Sequence, residues 1–83
     1  MSFFVYILQC ADTTYYVGCT NNLERRIHQH NNTKHGAHYT KLRRPVMLKH
    51  HETYPTLAEA RKREAEIKKW QRKRKEKLFH KSP

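Results

Sequence analysis

Apolar residues run without a break from Phe3 to Leu8 in FFVYILQ and resume at 15–19 in YYVGC, both runs being rich in aromatic and β-branched residues. Such composition favours strands, and the Asp and Thr of the intervening CADTT favour a turn, so residues 3–19 predict a β-hairpin. The period then changes. In LERRIHQH, Leu23 and Ile27 recur at helical spacing, and Asn21 with Glu24 predicts a capped helix from about Asn22 to His30, closed by NNTKHGAH. A third strand is predicted at VMLKHHE, where Pro45 stands at the strand's start and costs no ladder hydrogen bond. Pro55 blocks backward extension of the last element, Thr56 with Glu59 forms a capping box, and LAEARKREAEIKKWQRKRKEKLF contains no Gly or Pro, predicting one long helix.

Both helices break their own pattern. Arg26 and His30 share the face that carries Leu23 and Ile27, although burial alone would select neither an arginine nor an imidazole there. On the long helix Leu57, Ala60, Ile67 and Leu78 fall on one stripe, with Glu64 inside it and Glu66 pointing away. A carboxylate on such a stripe needs a cation, a metal or strong donors to meet it, and an ion pair to Arg26 or a neighbouring lysine is the structural alternative. Packed on one small sheet, the two faces would converge on a polar pocket, with Tyr6 and Tyr16 supplied by the strands if the hairpin pairs them on the same face.

The chain has 83 residues, enough for a single domain over 1–83 with a small core and a basic helix or tail from about residue 68 to 83. Lys and Arg number 18 against 7 acids, a formal charge of +11. Residues 1–20 hold no Lys or Arg, whereas more than half of all the cations crowd into Arg61–Lys77. So lopsided a charge points to a polyanion, nucleic acid first, ahead of an anionic membrane surface or an acidic protein; a solvated tail that aids solubility is the plain alternative. No signal-peptide pattern and no apolar run approaching roughly 18 residues places the chain in or across a membrane. The two cysteines, Cys10 and Cys19, have no metal-type spacing and suggest a reduced, cytoplasmic setting, though neighbouring strands would let oxidation bridge them. Seven histidines, HQH and HH among them, tempt a zinc reading that the absence of paired ligand spacing argues against.

VYI at 5–7, YVG at 16–18, LERRIHQH at 23–30 and a later helical glutamate together resemble the GIY-YIG nuclease domain, particularly its small stand-alone members, over nearly the whole chain. The resemblance implies an α+β fold, a three-stranded antiparallel sheet flanked by helices, and one divalent metal, Mg²⁺ or Mn²⁺, held chiefly by the helical acid. Residue by residue it makes Tyr6 and Tyr16 the motif tyrosines, Gly18 the motif glycine, Arg26 the motif arginine, Glu64 the metal ligand, and His30 a position that is His or Tyr in the family. The chain departs from the pattern at Phe4, where the family name has a glycine, and at Cys19, where some relatives carry lysine.

These residue types suit phosphodiester hydrolysis. Arg26 offers a permanently charged fork to non-bridging oxygens, and Glu64 a hard oxygen ligand. A phenol with an ordinary pKa near 10 makes a poor base unless cations lower it; the resemblance gives Tyr6 that role, with Tyr16 or His30 orienting water or relaying the proton. Gly18 lets a phosphate or a neighbouring chain come close, or simply serves a bulge or turn. Tyr39 beside Lys41, Arg43 and Arg44 is an aromatic platform with three cations, while Lys68, Lys69 and Arg72 begin the basic run and would meet phosphates. Trp70 and Phe79 are expected to cover the core. The reading is a metal-dependent endonuclease acting on DNA in preference to RNA, selecting structure over sequence, with a protein partner for targeting. Its competitors are a non-catalytic nucleic-acid-binding module on the same fold and a small interaction protein for an acidic partner.

Overall fold

A computed structural model describes residues 1–80. The first apolar run forms β1 (Phe3–Gln9) and the second β2 (Tyr15–Thr20), antiparallel with Tyr6 opposite Gly18 and Leu8 opposite Tyr16. Asp12 makes the turn between them by accepting hydrogen bonds from the backbone N–H of Thr14 and from its hydroxyl. β3 (Met47–Tyr54) pairs antiparallel with the other edge of β1, giving the order β2-β1-β3. β1 is thus central and covered on both faces, which is why its sequence is apolar almost throughout instead of alternating.

Strand pleating sends alternate side chains to opposite faces. Val5, Ile7 and Val17 face α3 (Leu57–Lys68), where they meet Ala60 and Ile67, with Phe3, Tyr15, Tyr54, Trp70, Leu78 and Phe79 around them. Tyr6, Leu8, Cys10 and Val46 face the other way, against Leu23 and Ile27 of α1 (Leu23–Asn32) and Tyr39 of α2 (His38–Lys41).

Three expectations need correction. The α1 cap is Asn22, not Asn21: its Oδ1 accepts from Arg25 N–H at 3.0 Å, so Arg25 stands at the third helical position and Glu24 forms no capping box. Cys10 and Cys19 are free, at opposite ends of the hairpin and in clusters on opposite faces of the sheet, so neighbouring strands do not make them neighbours. The long C-terminal helix is two. α3 ends at Lys68, the chain extends at Gln71 (φ −69°, ψ 160°), and α4 (Arg72–Glu76) turns back. A straight helix would carry Leu78 and Phe79 off the end of the sheet. The turn instead packs them with Trp70 against the Val5–Ile7–Val17 cluster, and the partial burial of three large apolar side chains together outweighs the roughly 1 kcal/mol of an interrupted helical hydrogen bond. The docking is latched at the turn: Arg72 donates to Thr13 O at 2.6 Å, and Tyr15 donates to Glu76 Oε2 at 2.7 Å. The last three residues of the expected tail, 81–83, lie outside the described residues. Among the described residues no helix is long and apolar enough to cross a membrane.

Candidate active site

Tyr6 and Tyr16 leave the sheet on the same face, with ring centroids 6.4 Å apart. Both rings meet the imidazole of His30 edge-on, at 5.8 and 5.1 Å, and Tyr39 stacks on Tyr16 at 6.1 Å. Gly18 makes this arrangement possible. It lies directly across from Tyr6, and a Cβ there would stand 2.7 Å from Tyr6 Cε2 and closer still to Cζ and the hydroxyl. The phenol therefore occupies the space that a side chain at 18 would fill, and the neighbouring chain that Gly18 admits is Tyr6 itself.

His30 explains why α1 carries an imidazole on its apolar face. The residue is fully buried and both ring nitrogens are bonded: Nε2 lies 2.8 Å from Tyr6 Oη, and Nδ1 lies 2.8 Å from Thr40 Oγ1. Thr40 donates its one hydroxyl proton to Ala37 O at 2.9 Å, so toward His30 it accepts. That assigns the proton of the neutral ring to Nδ1 and leaves Nε2 bare to accept from the Tyr6 hydroxyl. Burial first, then the charges of Arg26 and Arg44, hold the imidazole down at about 4. Tyr6 moves the other way, to about 12: burial outweighs the Arg26 guanidinium, and the Tyr16 and Glu64 charges add to the rise. In the resting protein both groups are neutral.

Arg26 spends Nη1 on Gln29 Oε1 at 3.0 Å and on His35 O at 2.9 Å. Glu64 pairs with Lys68 at 2.9 Å rather than with Arg26, the lysine being one turn ahead on α3. The two helices do not face each other as expected: α1 packs on the tyrosine face of the sheet and α3 on the opposite one. Glu64 is half-buried, lining an open cavity of about 460 Å³ with Cys19, Leu57, Arg61, Ala65 and Lys68. The Glu64 charge adds a little to the rise of the Tyr6 phenol, and that of Tyr16 to the rise of Lys68. Among the described residues no three His, Cys, Asp or Glu side chains gather as a metal cluster. One carboxylate opening on a cavity does fit a hard cation such as Mg²⁺, which keeps several waters and takes few protein oxygens; Lys68 must then give up Glu64.

The remaining candidates divide. Arg43 lies over the Tyr39 ring at 3.8 Å and pairs with Asp12 at 3.0 Å, and Lys41 is exposed beside them on α2. Arg44 is spent inside the fold: it donates to His30 O at 2.6 Å, to Gln29 O at 3.2 Å and to Thr33 O, capping the end of α1. Arg72 latches α4, lying over Tyr15 and paired to Glu76, while Lys69 is exposed and lines a separate cavity with Trp70. Sequence reasoning missed Thr40, which carries no periodic signal, and Arg61, legible only as the residue one helical turn before Glu64.

A family model described as the GIY-YIG catalytic domain matches residues 2–77. The chain is 50% identical over 80 residues to a UPF0213 protein of Syntrophus aciditrophicus, covering 96% of this chain and 92% of that one. A UPF0213 protein of Halobacterium salinarum is 45% identical over 75 residues, 90% and 96% of the two chains. Two solution NMR structures are similar at 40% identity. A UPF0213 protein from Bacillus halodurans matches with a TM-score of 0.59 over 94% of this chain and 82% of that one, and a protein from E. faecalis with 0.64 over 100% and 94%.

Proposed function

The chain belongs to the GIY-YIG family, a nuclease family, and from that premise we propose that it is a metal-dependent endonuclease hydrolysing phosphodiester bonds, in DNA rather than RNA. The observation that carries the reading is the Tyr6–His30–Thr40 chain of hydrogen bonds with its tautomer fixed. With Tyr6 held near 12, a phenolate waiting as base is not available at neutral pH. The chain instead couples the phenol to an acceptor nitrogen already in place. Tyr6 Oη takes the proton of the attacking water while its own proton passes to the bare Nε2 of His30, and the imidazolium so formed balances negative charge gathering on the phosphorus. Thr40 keeps Nε2 directed at Tyr6 throughout. Tyr16, beside Tyr6 and less buried, orients the water. Arg26, whose guanidinium also acts on the Tyr6 hydroxyl, presents its charge to the non-bridging oxygens, and Lys68 and Arg61 line the cavity where the phosphate enters. Glu64 would hold the divalent cation, Mg²⁺ or Mn²⁺, which would supply charge to polarise the phosphodiester and stabilise the leaving oxygen.

One observation favours the alternative, a nucleic-acid-binding module without catalysis: Lys68 already neutralises Glu64. The lysine is exposed, and a solvent-facing pair of this spacing is worth on the order of 0.5 kcal/mol, too little to keep a divalent ion off the carboxylate. Cleavage of labelled single-stranded, duplex and branched DNA at low salt, wild type beside Glu64→Ala, separates the two. Metal-dependent cutting that EDTA and the substitution abolish while binding persists is the expected result. Binding without cutting by both proteins would establish the module instead.

A further inference from the structure

Trp70, the molecule's single tryptophan, sits half-buried at the turn between α3 and α4, with two guanidinium groups over its ring. Arg63 is 4.9 Å from the ring centroid and Arg74 is 4.2 Å from it. The two arginines are held very differently. Arg63 is fixed by Glu52, to which it donates from Nε at 2.8 Å and from Nη2 at 3.2 Å, and by Glu66. Arg74 is exposed, and among the described residues its side chain makes no hydrogen bond or ion pair; the indole is its one partner. Around it opens a cavity of about 670 Å³ lined by Lys69, Trp70, Gln71, Lys73, Arg74 and Lys77, with no acid among them.

We infer that this cavity is a second nucleic-acid subsite, in which an unpaired nucleobase replaces Arg74 on the Trp70 ring and the adjoining phosphates meet Lys69, Lys73, Lys77 and the released Arg74. The inference rests on the nuclease reading for its ligand class. An exposed guanidinium contributes little to an indole face, whereas a stacked base contributes more and brings its phosphates to waiting cations. A paired base has both faces covered by its neighbours and cannot stack there, so the subsite selects a single strand. It shares no lining residue with the Glu64 cavity. Trp70 follows Glu64 by six residues, just past the end of α3, so a strand occupying both sites runs along the α3–α4 side of the molecule. The preferred substrate therefore carries an unpaired strand beside the cleavage site.

Trp70 emission reads occupancy directly, because no other tryptophan contributes. The wild-type protein in EDTA is titrated with an oligothymidylate, a duplex of equal length and an abasic phosphate oligomer of equal charge. Saturable quenching by the oligothymidylate, with both other polymers binding without quenching, is expected. Lys73→Glu with Lys77→Glu, both exposed on or beside α4, weakens oligothymidylate binding by about tenfold or more while the circular dichroism is unchanged. Equal quenching by the abasic oligomer would leave a phosphate patch and no base pocket, and equal quenching by duplex would remove the single-strand preference. Either result overturns the inference. The two readings fail separately: lost cleavage with quenching intact strikes only the nuclease, and absent quenching with cleavage intact strikes only this subsite.

Discussion

Acidification should destabilise this protein through one side chain. His30 has an ordinary value of 6.5 and a folded value of about 4, so the folded chain refuses a proton that the unfolded chain accepts. With a folded value lowered in this direction, the stability of the neutral imidazole is fully present above 6.5 and is lost as pH falls toward 4. The full loss is about 3 kcal/mol, and near pH 5 it is already about 2 kcal/mol. A second acid-sensitive group lies lower. Burial pushes the Glu52 carboxyl up, but hydrogen bonds from Arg63, His50 and Tyr54 overcome it and bring the group to about 2, so its contribution is present above 4.5 and is lost below. Between neutrality and pH 5, His30 thus acts nearly alone of the two. Urea unfolding at both pH values, for wild type and for His30→Gln, isolates the effect as the change within each protein. Wild type should lose about 2 kcal/mol more than the variant over this interval. Equal losses would refute the neutral, doubly bonded imidazole on which the proton relay depends.

Other consequences are as specific. Gly18→Ala drives a methyl into the Tyr6 ring, and thermal denaturation should register a loss of about 1–3 kcal/mol together with lost cleavage. Thr40→Val leaves the His30 Nδ1 proton without an acceptor, at a cost of about 1–3 kcal/mol by urea titration; Thr40→Ser, which keeps the hydroxyl, should restore both stability and activity. Phe79→Ala removes the ring that packs edge-on to Tyr15 at 5.5 Å, and hydrogen exchange should then show α4 opening while the Tyr6 site stays protected.

How much of this was legible in the sequence differs by element. The hairpin was, because its aromatic runs and Asp–Thr turn are local signals, and so was the α1 helix, although adjacent Asn21 and Asn22 both have cap chemistry and only the chain's path selects the second. The anomalies at Arg26, His30 and Glu64 were visible as polar residues at apolar spacing. That α1 and α3 lie on opposite faces of the sheet was not, since helical periodicity says nothing about which face a helix takes. The break after Lys68 has no Gly or Pro to announce it; it is set by Trp70, Leu78 and Phe79 finding the sheet, a tertiary preference overriding a strong helical propensity. α2 is a single turn without a side-chain cap, and its Thr40 matters only because the fold brings it under His30.

The most direct test of the account is cleavage of a labelled branched DNA by wild type and by Tyr6→Phe at matched binding, with Mg²⁺ present. The substitution keeps the ring over Gly18 and removes only the hydroxyl that donates to His30 Nε2. The account predicts a fall in cleavage rate of about 10²-fold or more with affinity unchanged. Full cleavage by the phenylalanine variant would contradict it.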